Sequence, residues 1–516
     1  MSRLLRSFAT VGGWTMASRI MGFVRDIAMA AIIGTGPLAE AFFVAFRLPN
    51  MFRRFFAEGA FNMAFIPIFS KKLEGDGAET ARRFGTEALS ALTAALIALT
   101  VLAQFAMPWL VWALASGFEG EKFDMAVAFS RILFPYIVFI SLAALFSGIL
   151  NAFGRFAAAA AAPVLLNVIW VAALAVVWVA SADPGVVLPW AIAGAGIAQL
   201  ALVWFAARRL GMGLIPRMPR LTPDVKRLVV VGIPAALAGG VMQINLLVGT
   251  QVASYFEGAV AWLWMADRIY QLPLGVVGVA IGVVLLPELS RRFRADDRAG
   301  TAEAMNRAGE FSLILTLPSA VALIVIPGLI TSALFERGAF TATDSANTAL
   351  ALAVYAIGLP TFVLQKVLQP AFFAREDTRT PLNYALVSMV VNIVIAVGLA
   401  PVIGFMAAAW GTTLAGVANL WLLWRGVQRL DPELRLDARL ARRLPRILAA
   451  SAGMGAVVLG MAEVGTRFLP GFEPLILLAV VPVGALSYSV LGQVLGAFSM
   501  AEIKTAMRRG RKDDPS

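Results

Sequence analysis

Apolar runs of about twenty residues recur along the whole chain, separated by short polar stretches that hold most of its charge. ALTAALIALTVLAQFAMPWLVWALA and ILAASAGMGAVVLGMAEV are two of them. A helix of about twenty residues crosses the ~30 Å hydrocarbon core of a bilayer. The pattern predicts fourteen spans, near 8–33, 38–70, 84–115, 126–150, 157–180, 186–207, 228–255, 259–290, 308–334, 347–373, 382–400, 403–424, 447–464 and 472–497. The chain therefore reads as an all-α polytopic membrane protein. An even number of spans places both termini on one side. The first run is interrupted by Arg19 and Arg25, so it reads as a membrane helix and not as a cleaved leader.

A weak internal repeat at an offset near 220 organises these spans. AFRLPNMFRRFFAEGAFNMAFIPIFSKK aligns with ADRIYQLPLGVVGVAIGVVLLPELSRR, pairing Arg47 with Arg268, Pro67 with Pro287 and Ser70 with Ser290. LNAFGRFAAAAAAP aligns with LQPAFFAREDTRTP, pairing Pro163 with Pro381. Six spans per unit preserve orientation, so the expectation is two six-helix lobes related by a parallel pseudo-two-fold axis. The expected divisions are 1–220, 221–430 and a C-terminal pair of helices over 431–516. The connector WRGVQRLDPELRLDARLARRLPR is basic and is expected to lie on the membrane surface as an amphipathic helix. The extra pair either packs as padding or forms a groove for a lipid tail. Cargo sites in proteins of this construction lie between lobes near the midplane. That would set Arg268 opposite Arg25 and Arg53.

Composition supports the membrane reading: 60% of the 516 residues are hydrophobic and 14% are charged, against about 25% charged in soluble proteins. Cysteine and histidine are both absent, which removes disulfides, thiolate nucleophiles, histidine metal sites and histidine-based triads. No lysine follows a glycine, so no Walker A phosphate loop exists. No cofactor, nucleotide or metal is expected.

The net charge of +12 is sorted by topology. With cytoplasmic termini, the inside segments hold 32 Lys and Arg, and the outside loops hold Lys122, Arg337 and Arg467. This bias obeys the positive-inside rule. It implies attraction to anionic membrane lipids and not to nucleic acid.

Eight basic residues remain inside spans: Arg19, Arg25, Arg47, Arg53, Arg54, Arg131, Arg268 and Lys366. Each costs a few kcal/mol at the bilayer centre. Arg131 is close enough to a span end to snorkel. Internal pairing with Asp26, Glu40, Glu58 or Asp267 would relieve some of the others, but the acids are fewer than the bases. The surplus implies a water-filled cavity that receives an anion. Seven of the eight are arginine, whose guanidinium fork matches phosphate oxygens and keeps its proton. The expected cargo bears phosphate. Arg19 and Asp26 share a helix face, and Gly22 between them could bend or unwind that turn. Pro49 and Pro67 are expected to kink the second span around the cavity.

Three runs carry a specific resemblance: SRIMGFVRDIAMAAIIG, AEAFFVAFRLPNMFRRFFAEGAFNMAFIPIFS and WMADRIYQLPLGVVGVAIGVVLLPELS. They resemble the MurJ (MviN) family of bacterial lipid II flippases, within the multidrug/oligosaccharidyl-lipid/polysaccharide exporter superfamily. The resemblance spans all fourteen predicted helices. It implies translocation of lipid II, an undecaprenyl-pyrophosphate-linked disaccharide-pentapeptide, from the cytoplasmic to the periplasmic leaflet of the inner membrane by alternating access. It also implies essential arginines at Arg19, Arg25, Arg53 and Arg268, with Asp26, Asn50 and Glu58 inside the matched motifs. The lipid tail would lie along spans 13 and 14, and cell-wall synthesis proteins are candidate partners. Two departures stand out. Glu40 replaces an aspartate common in relatives. Span 7, RLVVVGIPAALAGGVMQINLLVGTQVASYF, lacks the acid with which some relatives bind sodium, so no metal site is carried over. Membrane potential alone could drive transport, at about 2.3 kcal/mol per charge per 100 mV.

Other functions compete. A flippase for another polyprenyl-pyrophosphate-linked oligosaccharide, such as O-antigen units, would need the same arginines. An exporter of cationic drugs would not. A membrane enzyme acting on polyprenyl phosphate would want paired acids with a metal, or a nucleophile and base. Asp296–Asp297 and Asp513–Asp514 sit in basic, solvated segments and do not offer that. A structural scaffold would tolerate loss of the arginines.

Overall fold

The computed structural model describes residues 3–53, 61–230, 247–294, 297–375, 377–431 and 435–499. Among these residues the secondary structure is helical, with no strand. The chain divides into two compact units, Met1–Ala261 and Trp262–Ser516.

In the first unit, α1 (Arg3–Ile33), α2 (Pro37–Arg53), α3 (Phe61–Gly75), α4 (Gly77–Leu114), α5 (Gly120–Leu133), α6 (Tyr136–Ala152), α7 (Ala157–Ala180) and α8 (Pro184–Arg208) follow in order. α7 packs between α1 and α8, while α2 packs on α5 and α6. α1 is continuous through Gly22, so the expected unwinding there does not occur. Added to Gly22, a Cβ would stand 3.6 Å from the Asn167 amide. That is ordinary van der Waals contact, so α7 packs against an intact helix at this point. Pro49 and Pro67 both lie inside helices. Residues 54–60, with Arg54 and Glu58, lie outside the described residues. One predicted span is interrupted: α5 ends at Leu133 and α6 starts at Tyr136, with Pro135 between. Proline has no amide hydrogen to continue the ladder.

In the second unit, α9 (Ala259–Arg294) crosses the division and is followed by α10 (Arg298–Val325), α11 (Pro327–Phe335), α12 (Ala342–Phe373), α13 (Arg379–Ile403), α14 (Met406–Leu430), α15 (Ala438–Phe468) and α16 (Glu473–Val494). The predicted span near 308–334 is split by the Ile326–Pro327 break into α10 and α11. α13 and α14 form a tight hairpin, turning at Gly404 with φ +61°. A side chain there would strain against its own backbone. α14 packs on α12, α12 on α10, α10 on α15, and α15 on α16. Among the described residues the basic connector forms no helix of its own. Arg435 to Asp437 are non-helical, and the basic residues that follow form the first turns of α15, capped by Asp437, which accepts from the Leu440 amide at 2.6 Å.

Ten helical segments among the described residues are long and apolar enough to cross a bilayer. They coincide with ten of the fourteen predicted spans. The four others are those carrying Arg19, Arg25 and Asp26, those carrying Arg47 and Arg53, those carrying Asp267 and Arg268, and the one that includes 231–246, outside the described residues. Many large apolar side chains face outward, among them Phe105, Trp109 and Trp112 on α4 and Trp178 and Val179 on α7. In water such bands would drive association. On helices of this length they face lipid.

Candidate anion-binding site

Arg25 sits about three-quarters of the way along α1 and is 8% exposed; Asp26 beside it is 6% exposed. Successive helical residues point about 100° apart, yet the long arginine side chain reaches back to its neighbour. Its Nε and Nη2 donate to Asp26 Oδ1 at 3.0 and 2.6 Å. Its Nη1 donates to Asn167 Oδ1 on α7 at 2.9 Å. The guanidinium carbon lies 4.4 Å from the Trp170 ring centroid. These bonds use three of five N–H donors. Among the described residues, two remain for a ligand.

The surroundings hold this geometry. Asn167 Nδ2 donates to the Ser18 carbonyl at 3.0 Å, tying α7 to α1. Trp170 Nε1 donates to Met29 Sδ at 3.2 Å, and Phe42 and Phe46 from α2 stand edge-on to the indole at 5.5 and 4.8 Å. A cation on a desolvated indole face gains up to ~2 kcal/mol. Asp26 supplies the compensating charge. Removing one partner of such a buried pair costs about 3–5 kcal/mol, because the other charge is stranded.

The other residues expected at the site are arranged differently. Arg19 is half-buried on α1, one and two-thirds turns from Arg25, and so projects from another face. Asn50 turns back along α2, its Nδ2 donating to the Phe46 carbonyl at 2.8 Å just where Pro49 disturbs the ladder. Arg53 is half-buried at the end of α2. Glu58 falls outside the described residues. In the second unit, Arg268 lies with its guanidinium carbon 4.4 Å from the Trp264 ring centroid. Its Nε is buried with no hydrogen-bond partner among the described residues. Asp267 does not repeat the role of Asp26: it accepts from Gln271, one turn on. The adjacent Arg–Asp pairs of the two units are therefore unlike, one closed on itself and one with the arginine available.

Glu40 is a correction to the sequence reading. It is fully buried, and its partner is not a membrane-embedded arginine. Lys122 Nζ, from the start of α5, donates to Oε2 at 2.6 Å, and the Val260 amide donates to Oε1 at 3.0 Å. Lys122 also lies 4.2 Å over the Phe118 ring. The carboxylate is satisfied locally and takes no charge from the arginine surplus.

Asn167 and Trp170 escaped the sequence reading. A signal existed: Asn167 is the lone side-chain amide in AAAAAAPVLLNVIWVAALAVVWVA, and a polar residue in mid-span needs a partner. Three residues on, Trp170 shares its face.

Charged residues buried inside a lipid-facing helical protein mark a functional site, and solved membrane transporters share the fold. A multidrug resistance MATE transporter of the MOP superfamily in an inward-facing conformation superposes with a TM-score of 0.70, at 16% identity over 81% of this chain and 95% of that one. A lipid II flippase MurJ in an inward closed conformation superposes with a TM-score of 0.78, at 25% identity over 94% and 98%. The family model described as lipid II flippase MurJ matches residues 29–479. A probable lipid II flippase MurJ of Rhizobium meliloti (strain 1021) is 45% identical over 98% of this chain and 97% of its own length. A lipid II flippase MurJ of Burkholderia cenocepacia is 36% identical over 83% and 84%. The chain belongs to the MurJ family.

Proposed function

We propose that this protein is a lipid II flippase, carrying the undecaprenyl-pyrophosphate-linked precursor across the inner membrane from the cytoplasmic to the periplasmic leaflet. The observation that carries this reading is a MurJ-family chain with Arg25 buried in its first helix, held ready by Asp26, Asn167 and Trp170. A pyrophosphate bears the charge and the paired oxygens that a guanidinium fork binds bidentately. The two remaining N–H donors of Arg25 can engage a phosphate oxygen while Asp26 and Asn167 keep the fork oriented. Arg268, whose buried Nε has no hydrogen-bond partner among the described residues, gains one from an anion. Arg19 and Arg53 add positive charge along the same first unit. Asp26 keeps the empty site from being a bare buried cation, and the phosphate competes with it.

The chemistry asked of the protein is binding and release, so the lipid leaves covalently unchanged. No resident cofactor is required, and membrane potential or an ion gradient supplies the bias. The test is reconstitution. Purified protein in liposomes is expected to move lipid II to the opposite leaflet with its mass unaltered, faster than an O-antigen-type lipid on the same carrier. Equal transport of both would withdraw the lipid II assignment, and a changed mass would make the protein an enzyme.

A further inference from the structure

Within the second unit, a cavity of about 240 Å³ opens between α10, α12, α14 and the start of α15. Met305, Leu313, Leu364, Leu368, Trp424 and Leu440 line it. Arg435 and Leu436, both exposed, form its edge. An apolar hole in a close-packed bundle loses dispersion contacts unless something fills it. Below the ~300–1,000 Å³ of a pocket that takes a whole ligand, it suits part of one hydrocarbon chain. Of the last two spans, only the start of α15 contributes to the lining, and α16 contributes none.

The rim selects the headgroup. Glu310, nearly buried on α10, accepts from Arg443 at 2.5 Å and Arg439 at 3.3 Å, and also pairs with Arg307. Arg307 pairs further with Asp437. Asn306 donates to the Arg435 carbonyl at 2.9 Å and accepts from the Asp437 amide at 3.1 Å, fixing the rim backbone. Glu303 on α10 also acts on Arg307. Among the described residues, Arg307, Arg435, Arg439 and Arg443 thus outnumber Glu303, Glu310 and Asp437, leaving net positive charge beside an apolar hole. The arginine-rich side is the one the charge distribution assigns to the cytoplasm.

We propose that this cavity holds part of one acyl chain of an anionic glycerophospholipid from that leaflet, with its phosphate on the Arg435 rim. The chain's own basic C-terminal stretch, with five Lys and Arg over 504–512, does not complement such a rim.

The test uses the full-length protein in nanodiscs containing phosphatidylglycerol or phosphatidylcholine with brominated acyl chains, and reads tryptophan quenching. Trp424→Phe identifies the share due to the cavity. The expected result is a Trp424 share that favours phosphatidylglycerol by about fivefold or more, each arginine near an anionic lipid contributing roughly that factor. Arg435→Gln, at an exposed position, should reduce the preference by about fivefold. Leucine at position 309 (Gly309→Leu), where a Cβ meets only Leu440 at 3.8 Å, should fill the cavity and remove the Trp424 share. Equal quenching by both lipids, or none assignable to Trp424, would overturn the proposal. So would relief of quenching by unlabelled lipid II but not by unlabelled phosphatidylglycerol, which would make the cavity part of the substrate path.

Discussion

Arg25 depends on a residue 142 positions away in the chain. Asn167 donates no charge, but it accepts from Nη1 and so sets the plane of the guanidinium. A hydrogen bond to a charged group is worth ~1.5–3 kcal/mol, or about tenfold or more in a rate or affinity. Asn167→Ala should therefore lower lipid II translocation about tenfold at unchanged membrane abundance, and Asn167→Asp should lower it further by giving the fork a second internal anion. Wild-type translocation in both variants would make Asn167 a packing residue only. At Glu40 the expected loss is of stability. Glu40→Ala strands Lys122 against Phe118, and a cost near 3–5 kcal/mol should appear as a lower thermal unfolding temperature of the purified protein, largely restored by the double variant with Lys122→Met. Embedded charges are legible in sequence because lipid makes them anomalous, which is why Arg25, Asp26 and Arg268 stood out. Their partners are not legible. Nothing local distinguishes Asp26, which pairs with its neighbour, from Asp267, which does not, because the difference lies in what packs alongside.

Helices here approach one another through small residues, since lipid offers no hydrophobic drive between them. In the α13–α14 hairpin, a Cβ on Gly411 would fall 2.5 Å from Asn392 Oδ1 and 2.9 Å from the Ala396 Cβ. Gly194 on α8 is also helical and has nothing within 4 Å. Gly411→Ala should destabilise by ~1–3 kcal/mol, the usual cost of overpacking. Gly194→Ala should be neutral or stabilising by up to ~1 kcal/mol. Thermal unfolding in detergent measures both, and equal shifts would contradict the close packing described. The apolar runs placed these helices well, because a length near twenty residues is dictated by the bilayer. The breaks at Pro135 and Pro327 were less visible, since proline is common inside spans and many of the prolines here sit within continuous helices. The basic connector is not a separate helix among the described residues: its arginines from Arg439 on belong to α15, which Asp437 caps.

At the scale of the whole molecule, the charge distribution makes a prediction about orientation. The chain lacks cysteine, so single introduced thiols report sidedness without background. Ala339→Cys, on an exposed loop expected outside, should react with a membrane-impermeant maleimide in intact cells. Arg220→Cys, on an exposed segment expected inside, should react only after permeabilisation. The opposite pattern would invert the proposed direction of transport. Function is tested most directly by lipid II accessibility at the outer leaflet of cells whose only flippase is this protein. Wild type is compared with Arg25→Ala and Arg268→Ala at matched membrane abundance. Both variants should lose outer-leaflet lipid II and accumulate it on the inner leaflet. Undiminished outer-leaflet lipid II in either would contradict the role given to that arginine, and in both would leave the buried guanidiniums as structural elements alone.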